Sequence, residues 1–168
     1  NKDLVITPLE YVINDNDANY KVYNEDSNIL INSIKGDVLY LDPPYNTRRY
    51  HTNYHMLETI ALYDNPEIKG KTGLRVDDSK KSDFSLKRKA ALALEDLIEK
   101  ADFRYIFLSY NNEGIITFDE IEAIFKKYGE YSVVSTEYKR FKSDKDDRRN
   151  IKKGGVVEYI HCLKKWEK

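Results

Sequence analysis

An acid, two prolines and an aromatic residue follow one another at Asp42-Pro43-Pro44-Tyr45, directly after the apolar run Val38 to Leu41. The apolar run predicts a buried strand of a parallel sheet. Neither proline has a backbone N–H to donate, so we expect the strand to end there, with Asp42 at its carboxyl end. Ligands of open α/β sheets bind at that edge, which makes these four residues the first candidates for chemistry.

The same four residues could hold an amino group attached to an aromatic base. The lone pair of such an amine is delocalised into the ring, so a catalyst needs acceptors that hold its two N–H groups and favour a tetrahedral nitrogen. The Asp42 carboxylate and the Pro43 carbonyl are two such acceptors on a stiff turn, and Tyr45 supplies a face for stacking. The alternative is an ordinary strand and turn, because Asp-Pro commonly begins turns.

Asp-Pro-Pro-Tyr after a hydrophobic strand resembles the catalytic motif of the S-adenosylmethionine-dependent methyltransferases that act on adenine N6 in DNA. The Tyr-His, Tyr-Asp-Asn-Pro and Gly-Lys-Thr-Gly-Leu-Arg segments between residues 50 and 75 resemble the D12 class of these enzymes. The resemblance implies in-line methyl transfer to an adenine rotated out of the duplex. It also implies that Asp42 and the Pro43 carbonyl accept the amine hydrogens, that Pro44 fixes the turn, and that Tyr45 stacks on the base.

The donor site has a weaker signature. Residues 20–24 alternate like a strand, and residues 29–34 have helical spacing, with Asp26 or Ser27 placed to cap the helix. The resemblance implies that Asp26, Ser27 and Asp42 contact the donor, although Asp26 could also serve only as a cap. None of the seven glycines forms a Phe-x-Gly-x-Gly donor loop. We therefore expect the loop and the first strands to be missing from this chain, as in the carboxyl-terminal part of a larger protein.

Contacts with DNA must be local, because 28 Lys and Arg residues are balanced by 29 Asp and Glu residues and the net charge is -1. Candidates come from the motif's loop, from a long aperiodic polar loop at 65–85, from the polar end of a strand at 105–110, and from a basic loop between the last two strands. An ordinary solvated surface is the alternative for each cluster. The candidate residues are Asn46, Arg48, Arg49, Tyr50, Lys71, Arg75, Tyr110, Asn111, Asn112, Lys139, Arg140 and Lys142.

The remaining periodicity predicts alternating helices and strands. We expect helices at 53–64, 86–101 and 117–128, the last opened by a Thr117–Glu120 capping box and ended by Gly129. Further strands are expected at 105–110, 131–141 and 156–163, the last two antiparallel. The predicted fold is α/β, a Rossmann-like three-layer sandwich with a mostly parallel sheet and an antiparallel terminal hairpin. Residues 1–19 are predicted to be a linker or peripheral segment, and residues 20–168 the catalytic part.

The sequence thus predicts a site-specific DNA adenine N6-methyltransferase that acts on double-stranded DNA as part of a restriction-modification system. A non-catalytic fragment that binds DNA or a partner, such as the missing amino-terminal part or a specificity region, is one alternative, and a methyltransferase for RNA or a protein amide is another. His51 and His55 lie four residues apart, but no third ligand has matching spacing, so no metal is expected. The single cysteine and the absence of a membrane-length apolar segment predict a cytoplasmic protein. The oligomeric state and the recognition sequence are not predicted.

Overall fold

A computed structural model of the chain describes residues 20–47, 54–76, 82–138 and 155–166. The predicted segment 1–19 lies outside these ranges. The helices are α1 (Ser27–Leu30), α2 (His55–Leu62), α3 (Ala90–Lys100) and α4 (Phe118–Tyr128), with a short 3-10 helix at Asp83–Ser85. The strands are β1 (Lys35–Leu41), β2 (Ile68–Lys69), β3 (Leu74–Arg75), β4 (Asp102–Asn111), β5 (Gly129–Tyr138) and β6 (Val156–Lys165). No helix in these ranges is both long and apolar enough to cross a membrane.

Four strands form one mixed sheet in the order β1-β4-β6-β5. β1 and β4 run parallel, whereas β6 pairs antiparallel with both β4 and β5. The antiparallel terminal hairpin is therefore confirmed. The described sheet is mixed rather than mostly parallel, because two of its three pairings involve β6. β2 and β3 form a separate two-stranded hairpin inside the stretch predicted to be an aperiodic loop.

The core lies between one face of this sheet and helices α3 and α4. β4 contributes Ile106, Leu108 and Tyr110, which alternate along the strand and are all buried. The helices complete the core with apolar stripes, Ala90, Leu94, Leu97 and Ile98 from α3 and Ile121, Ile124 and Phe125 from α4. The Nζ of Lys165 donates to the carbonyl oxygens of Ile98 and Ala101, at 2.8 and 2.7 Å, and so joins β6 to the carboxyl end of α3.

The capping box of α4 is confirmed. The Thr117 hydroxyl accepts from the Glu120 N–H at 3.3 Å, and the Glu120 carboxylate accepts from the Thr117 N–H at 2.8 Å. Gly129 ends the helix as predicted, but in an extended conformation and not in the left-handed one that is usual for a terminating glycine. Its φ of 173° is extended, so β5 begins at once. A Cβ at this position would lie 2.1 Å from the Lys164 carbonyl oxygen, which means that the glycine allows two strands to approach closely.

Two predictions about the first strands are not met in the described residues. Residues 20–24 form no strand, and all of them are exposed. β1 was predicted to be buried, yet it is one of the two edge strands of the described sheet, and its Val38 and Tyr40 are 56% and 60% exposed. Tyr40 shares its sheet face with Phe107 of β4, and no described helix covers this face as α3 and α4 cover the other. One large apolar surface is thus left open.

Helix α2 forms where the sequence predicted a helix, but its apolar side faces outward in the described part of the chain. Met56, Leu57 and Ile60 make up this apolar side, and each is more than 60% exposed. Periodicity identified the helix correctly because it depends only on the order of residues along the chain. It could not show whether another element covers the apolar stripe.

One polar side chain is enclosed in the core of the terminal hairpin. His161 of β6 is 0% exposed, and its Nδ1 lies 2.9 Å from the hydroxyl oxygen of Tyr131 on β5. The rings of Phe118, Phe125 and Tyr159 surround it, and their centroids lie 5.3 to 6.1 Å from the centroid of the imidazole. Its Nε2 has no hydrogen-bond partner among the described residues. Burial lowers the pKa of the His161 imidazole from 6.5 to about 4.

Candidate active site

A cavity of about 280 Å³ opens at the carboxyl end of β1, where Asp42 follows the strand. The side chain of Asp42 is exposed, and none of the described residues gives its carboxylate a hydrogen bond or an ion pair. The walls combine the motif with apolar side chains of the 3-10 helix and α3. They consist of Ser27, Tyr40, Leu41, Asp42, Pro43, Pro44, Ser82, Phe84, Leu94 and Leu97. One acid in a mainly apolar cavity near the lower size limit of small-molecule sites can orient a flat, uncharged group.

The loop after Asp42 is held against β4 and the segment that follows it. The Tyr45 carbonyl oxygen accepts from the Ile115 N–H at 2.9 Å, and the Tyr45 ring packs on Tyr110 with centroids 5.7 Å apart and planes at 77°. Tyr45 is half-buried. The Tyr45 ring is therefore held by Tyr110, directly after Pro44, the last residue of the motif that lines the cavity.

Tyr110 lies beneath this loop and not on the surface. It is 1% exposed, and its hydroxyl oxygen accepts from the Ile116 N–H at 3.2 Å. Burial raises the pKa of the Tyr110 hydroxyl. A Cβ on Gly114 would lie 2.1 Å from the Tyr110 ring, so the glycine provides the space that the ring occupies. The predicted contact of Tyr110 with DNA does not fit this buried position. Tyr110 instead packs against the ring of Tyr45 and supports it.

Asn111 ends β4, the parallel neighbour of β1, and Asn112 follows it, and both are engaged within the chain. The Asn111 Oδ1 accepts from the Glu113 N–H at 3.0 Å, and its Nδ2 lies 3.4 Å from the Glu158 Oε1. The Asn112 Oδ1 accepts from the Val157 N–H at 3.1 Å. These amides tie the end of β4 to the start of β6, so a structural role explains them without DNA.

Two of the three predicted donor residues, Asp26 and Ser27, lie at the first turn of α1, and the third is Asp42. The Asp26 carboxylate accepts from the N–H groups of Asn28 and Ile29 at 2.9 and 3.3 Å, which confirms Asp26 as the cap. Ser27 lines the same cavity as Asp42. Asp26 lines a second cavity of about 410 Å³, whose other residues are Asn28, Ser82, Asp83, Phe84, Lys89, Leu92, Ala93 and Asp96.

Sequence reasoning missed the segment that separates these two cavities. Ser82 and Phe84 line both of them, and Phe84 is buried. The Ser82 hydroxyl accepts from the Phe84 N–H at 3.3 Å and caps the 3-10 helix. A Ser-Asp-Phe-Ser sequence before a helix was a usable signal, because serine caps short helices and an isolated phenylalanine in a polar stretch has to pack somewhere.

Apart from Tyr110, Asn111 and Asn112, the predicted DNA-contacting residues fall into three groups. Asn46 and Lys71 are exposed, as a contact with DNA requires. Arg75 is buried, with a side chain only 4% exposed and paired to Asp64, so its predicted contact with phosphate does not fit the structure. The others, Arg48, Arg49, Tyr50, Lys139, Arg140 and Lys142, lie outside the described residues. No group of three or more acidic, histidine or cysteine side chains in the described ranges could hold a metal.

Known proteins similar to this chain are methyltransferases. The type II methyltransferase M.NlaIII of Neisseria lactamica is 51% identical over 146 residues, which are 87% of this chain and 43% of that protein. The type II methyltransferase M.FokI of Planomicrobium okeanokoites is 47% identical over 148 residues, 86% of this chain and 22% of that protein. The modification methylase LlaI of Lactococcus lactis subsp. lactis is 36% identical over 171 residues, 98% of this chain and 27% of that protein.

The chain therefore spans less than half the length of these relatives. No solved structure matches it. The family model for the D12 class N6 adenine-specific DNA methyltransferases matches residues 4–124, which include the Asp42-Pro43-Pro44-Tyr45 motif, both cavities and the β2–β3 hairpin. This match covers more than half of the 168 residues, and the chain belongs to the D12 class of N6 adenine-specific DNA methyltransferases.

Proposed function

We propose that the protein carrying this chain transfers a methyl group from S-adenosylmethionine to the N6 atom of adenine in double-stranded DNA, within a restriction-modification system. The observation that carries the proposal is the exposed Asp42 carboxylate, which follows β1 directly, lines an open cavity and is backed by two prolines. Family membership supports adenine N6 as the acceptor, and the relatives are named type II methyltransferases or modification methylases.

Each residue of the motif has one task in this proposal. The Asp42 carboxylate accepts one N–H of the adenine amine and the Pro43 carbonyl accepts the other, which frees the nitrogen lone pair from the ring. Pro44 keeps the turn in place so that both acceptors are aimed before the base arrives. The bound donor supplies a methyl group already activated by a sulfonium. The protein's main contribution is therefore to hold the amine in line with that group.

The residues around the two cavities fit a donor that carries positive charge and a purine. Asp26, Ser27 and Asp42 offer carboxylate and hydroxyl oxygens, and the wall shared by the cavities is the buried Phe84. We propose that Asp26 contacts the donor while it caps α1, since its cap bonds use Oδ1. Ser27 and Asp42 face the boundary between donor and base, because they line the same cavity.

We further propose that the sheet continues beyond β1 and that helices cover its open face, as in a Rossmann-like three-layer sandwich. Two features support this. Val38 and Tyr40 of the edge strand β1 are largely exposed, and so is Leu92 on the outer side of α3. Exposed apolar surface of this extent marks a contact with another part of a protein. The rest of the larger protein, including the donor loop and the first strands, would supply these elements.

DNA contacts are proposed at Asn46 and Lys71, which are exposed on the described surface. Arg48, Arg49, Tyr50, Lys139, Arg140 and Lys142 remain proposals from the sequence. With a net charge of -1, binding must rely on such local groups and not on an overall basic field.

Replacing Tyr45 by alanine should weaken capture of the flipped base. Stacking on an aromatic ring is worth about 1 to 3 kcal/mol, so binding of DNA with an unpaired target base should weaken by roughly 5- to 150-fold. Fluorescence of 2-aminopurine at the target position, measured with the full-length protein, reports the flipped state. Tyr45→Phe is the matched control, because it keeps the ring that packs on Tyr110. An unchanged signal in Tyr45→Ala would argue against stacking.

The proposed function is tested by incubating the full-length protein with duplex DNA and S-adenosylmethionine labelled in the methyl group. Nucleoside analysis of the DNA should find the label in N6-methyladenine. Label in methylcytosine, or in RNA or protein but not DNA, would replace the proposal with another acceptor. Binding of labelled donor to residues 1–168 alone, compared with the full-length protein, measures how much of the donor site this part carries.

A further inference from the structure

The guanidinium of Arg75 joins strand β3 to helix α2. Its two terminal nitrogens donate to the two oxygens of Asp64, Nη1 to Oδ1 at 2.8 Å and Nη2 to Oδ2 at 2.5 Å. Nη1 also donates to Thr59 Oγ1 at 3.1 Å, and that hydroxyl in turn donates to the His55 carbonyl at 2.7 Å. We call Arg75, Asp64 and Thr59 the Arg75 clamp. Paired, planar contacts of this kind fix geometry in a way that a lysine cannot reproduce.

The backbone on either side of Asp64 is strained. Tyr63 and Asn65 have φ values of 50° and 44°, in the left-handed region that residues with a side chain seldom adopt. Such a conformation persists where the surroundings hold it, and it is often found at functional sites. Here the Tyr63 N–H donates to the Thr59 carbonyl at 2.8 Å, and the Asp64 carboxylate accepts from Arg75. The strained corner therefore presents the Asp64 carboxylate to β3.

The hairpin that contains Arg75 is too small to hold its own position. β2 and β3 contribute two residues each, with Ile68 opposite Arg75 and Lys69 opposite Leu74. A hairpin of this size is unstable in water unless it packs on something else. The turn, residues 70–73, begins and ends in glycines with φ values of 71° and 65°, and Lys71 is exposed within it. The orientation of this turn consequently depends on the clamp at its base.

We propose that Arg75 is a positioning residue for DNA binding, which acts by holding the turn so that Lys71 meets a phosphate of the substrate. This inference rests on the proposed function, since that function makes DNA the ligand of Lys71. It gives Arg75 a role opposite to that of an exposed DNA contact, because the guanidinium works while buried. It also predicts that the effects of Arg75 and Lys71 on DNA affinity are coupled, although only Lys71 contacts the DNA.

The test is a double-mutant cycle in the full-length protein, measuring the Kd for a DNA oligonucleotide across a salt series together with kcat and the KM for DNA. Lys71→Ala should weaken DNA binding about fivefold and lower the salt slope by about 0.9, the value for one phosphate contact. Arg75→Lys should do nearly the same, since it keeps the charge but loses the paired contact. The double variant should be no worse than Lys71→Ala alone, and kcat at saturating DNA should stay close to wild type.

Matched controls come from exposed cations elsewhere. Arg104→Lys alters an arginine that stacks on Tyr105 in β4, and Lys126→Ala removes a lysine paired with Glu122 on α4. Neither should change DNA binding. If Arg75→Lys does not fold, Thr59→Val removes both hydrogen bonds of the Thr59 hydroxyl but leaves the Arg75–Asp64 ion pair, so a smaller effect of the same kind is expected.

Three results separate the possible failures. If the Kd of the double variant rises by the product of the two single effects, Arg75 does not act through Lys71. That result would overturn the inference while the proposed function stands. A loss of kcat and donor binding in Arg75→Lys, without a change in the salt slope, would mark a purely structural role and would also overturn it. If the wild-type protein places no methyl group on adenine in DNA, the proposed function fails before any variant is measured.

Discussion

Replacing Asp42 by alanine is expected to lower the kcat for adenine methylation by about 10²- to 10³-fold or more, because it removes a charged acceptor aimed at the reacting amine. The protein should stay folded. The Asp42 side chain is exposed, and the described residues give it no hydrogen bond or ion pair whose loss would destabilise the fold. The measurement is transfer of labelled methyl groups to DNA by the full-length protein, with thermal unfolding recorded in parallel.

Asp37 provides the matched control for this experiment. It is also an exposed aspartate of β1, but it does not line the cavity at the carboxyl end of the strand. Asp37→Ala should methylate DNA as the wild type does. Asp42→Asn should fall between wild type and alanine, since the amide oxygen still accepts a hydrogen bond without the charge. Turnover near the wild-type rate in Asp42→Ala would remove the proposed mechanism.

The features that could be predicted from the sequence are those set by residues close together along the chain. Asp26 caps α1 and Thr117 opens α4 as expected, because a cap requires only a suitable side chain and the next few N–H groups. The position of Asp42 at the end of β1 was predictable for a similar reason, since prolines end a strand locally.

The features that could not be predicted depend on partners distant in sequence. Tyr110 was expected to face DNA because it lies at the polar end of a strand, and Arg75 because it lies in the stretch predicted to be an aperiodic polar loop. The structure buries them, Tyr110 under Tyr45 and Arg75 against Asp64, since the loops fold back over them. A tyrosine and an arginine can each be buried once their polar atoms are paired, so composition alone does not reveal the outcome.

The pH dependence of folding should carry a large contribution from His161. Its pKa is about 4 in the folded chain and 6.5 when exposed, because burial disfavours the charged imidazolium. Below pH 6.5 the unfolded chain therefore binds a proton that the folded chain does not. The free energy of unfolding falls as the pH drops from 6.5 towards 4 and levels off below that. The difference between the two pKa values corresponds to about 3 kcal/mol. Above pH 6.5 this contribution is constant.

His161→Phe should remove that slope, because phenylalanine has a similar shape and cannot be protonated. Tyr131→Phe is the control, since it deletes the hydroxyl that contacts Nδ1 but keeps the buried imidazole, and its slope should remain. Urea unfolding of wild type and both variants at several pH values between 4 and 7 measures this directly, and subtracting the curves cancels the carboxylates common to all three. Parallel curves for wild type and His161→Phe would mean that the imidazole is protonated as readily in the folded chain as in the unfolded chain, with the charge of Glu122 favouring the imidazolium. The open Nε2 would then have to reach water, which would make the hairpin core less closed than its aromatic shell indicates.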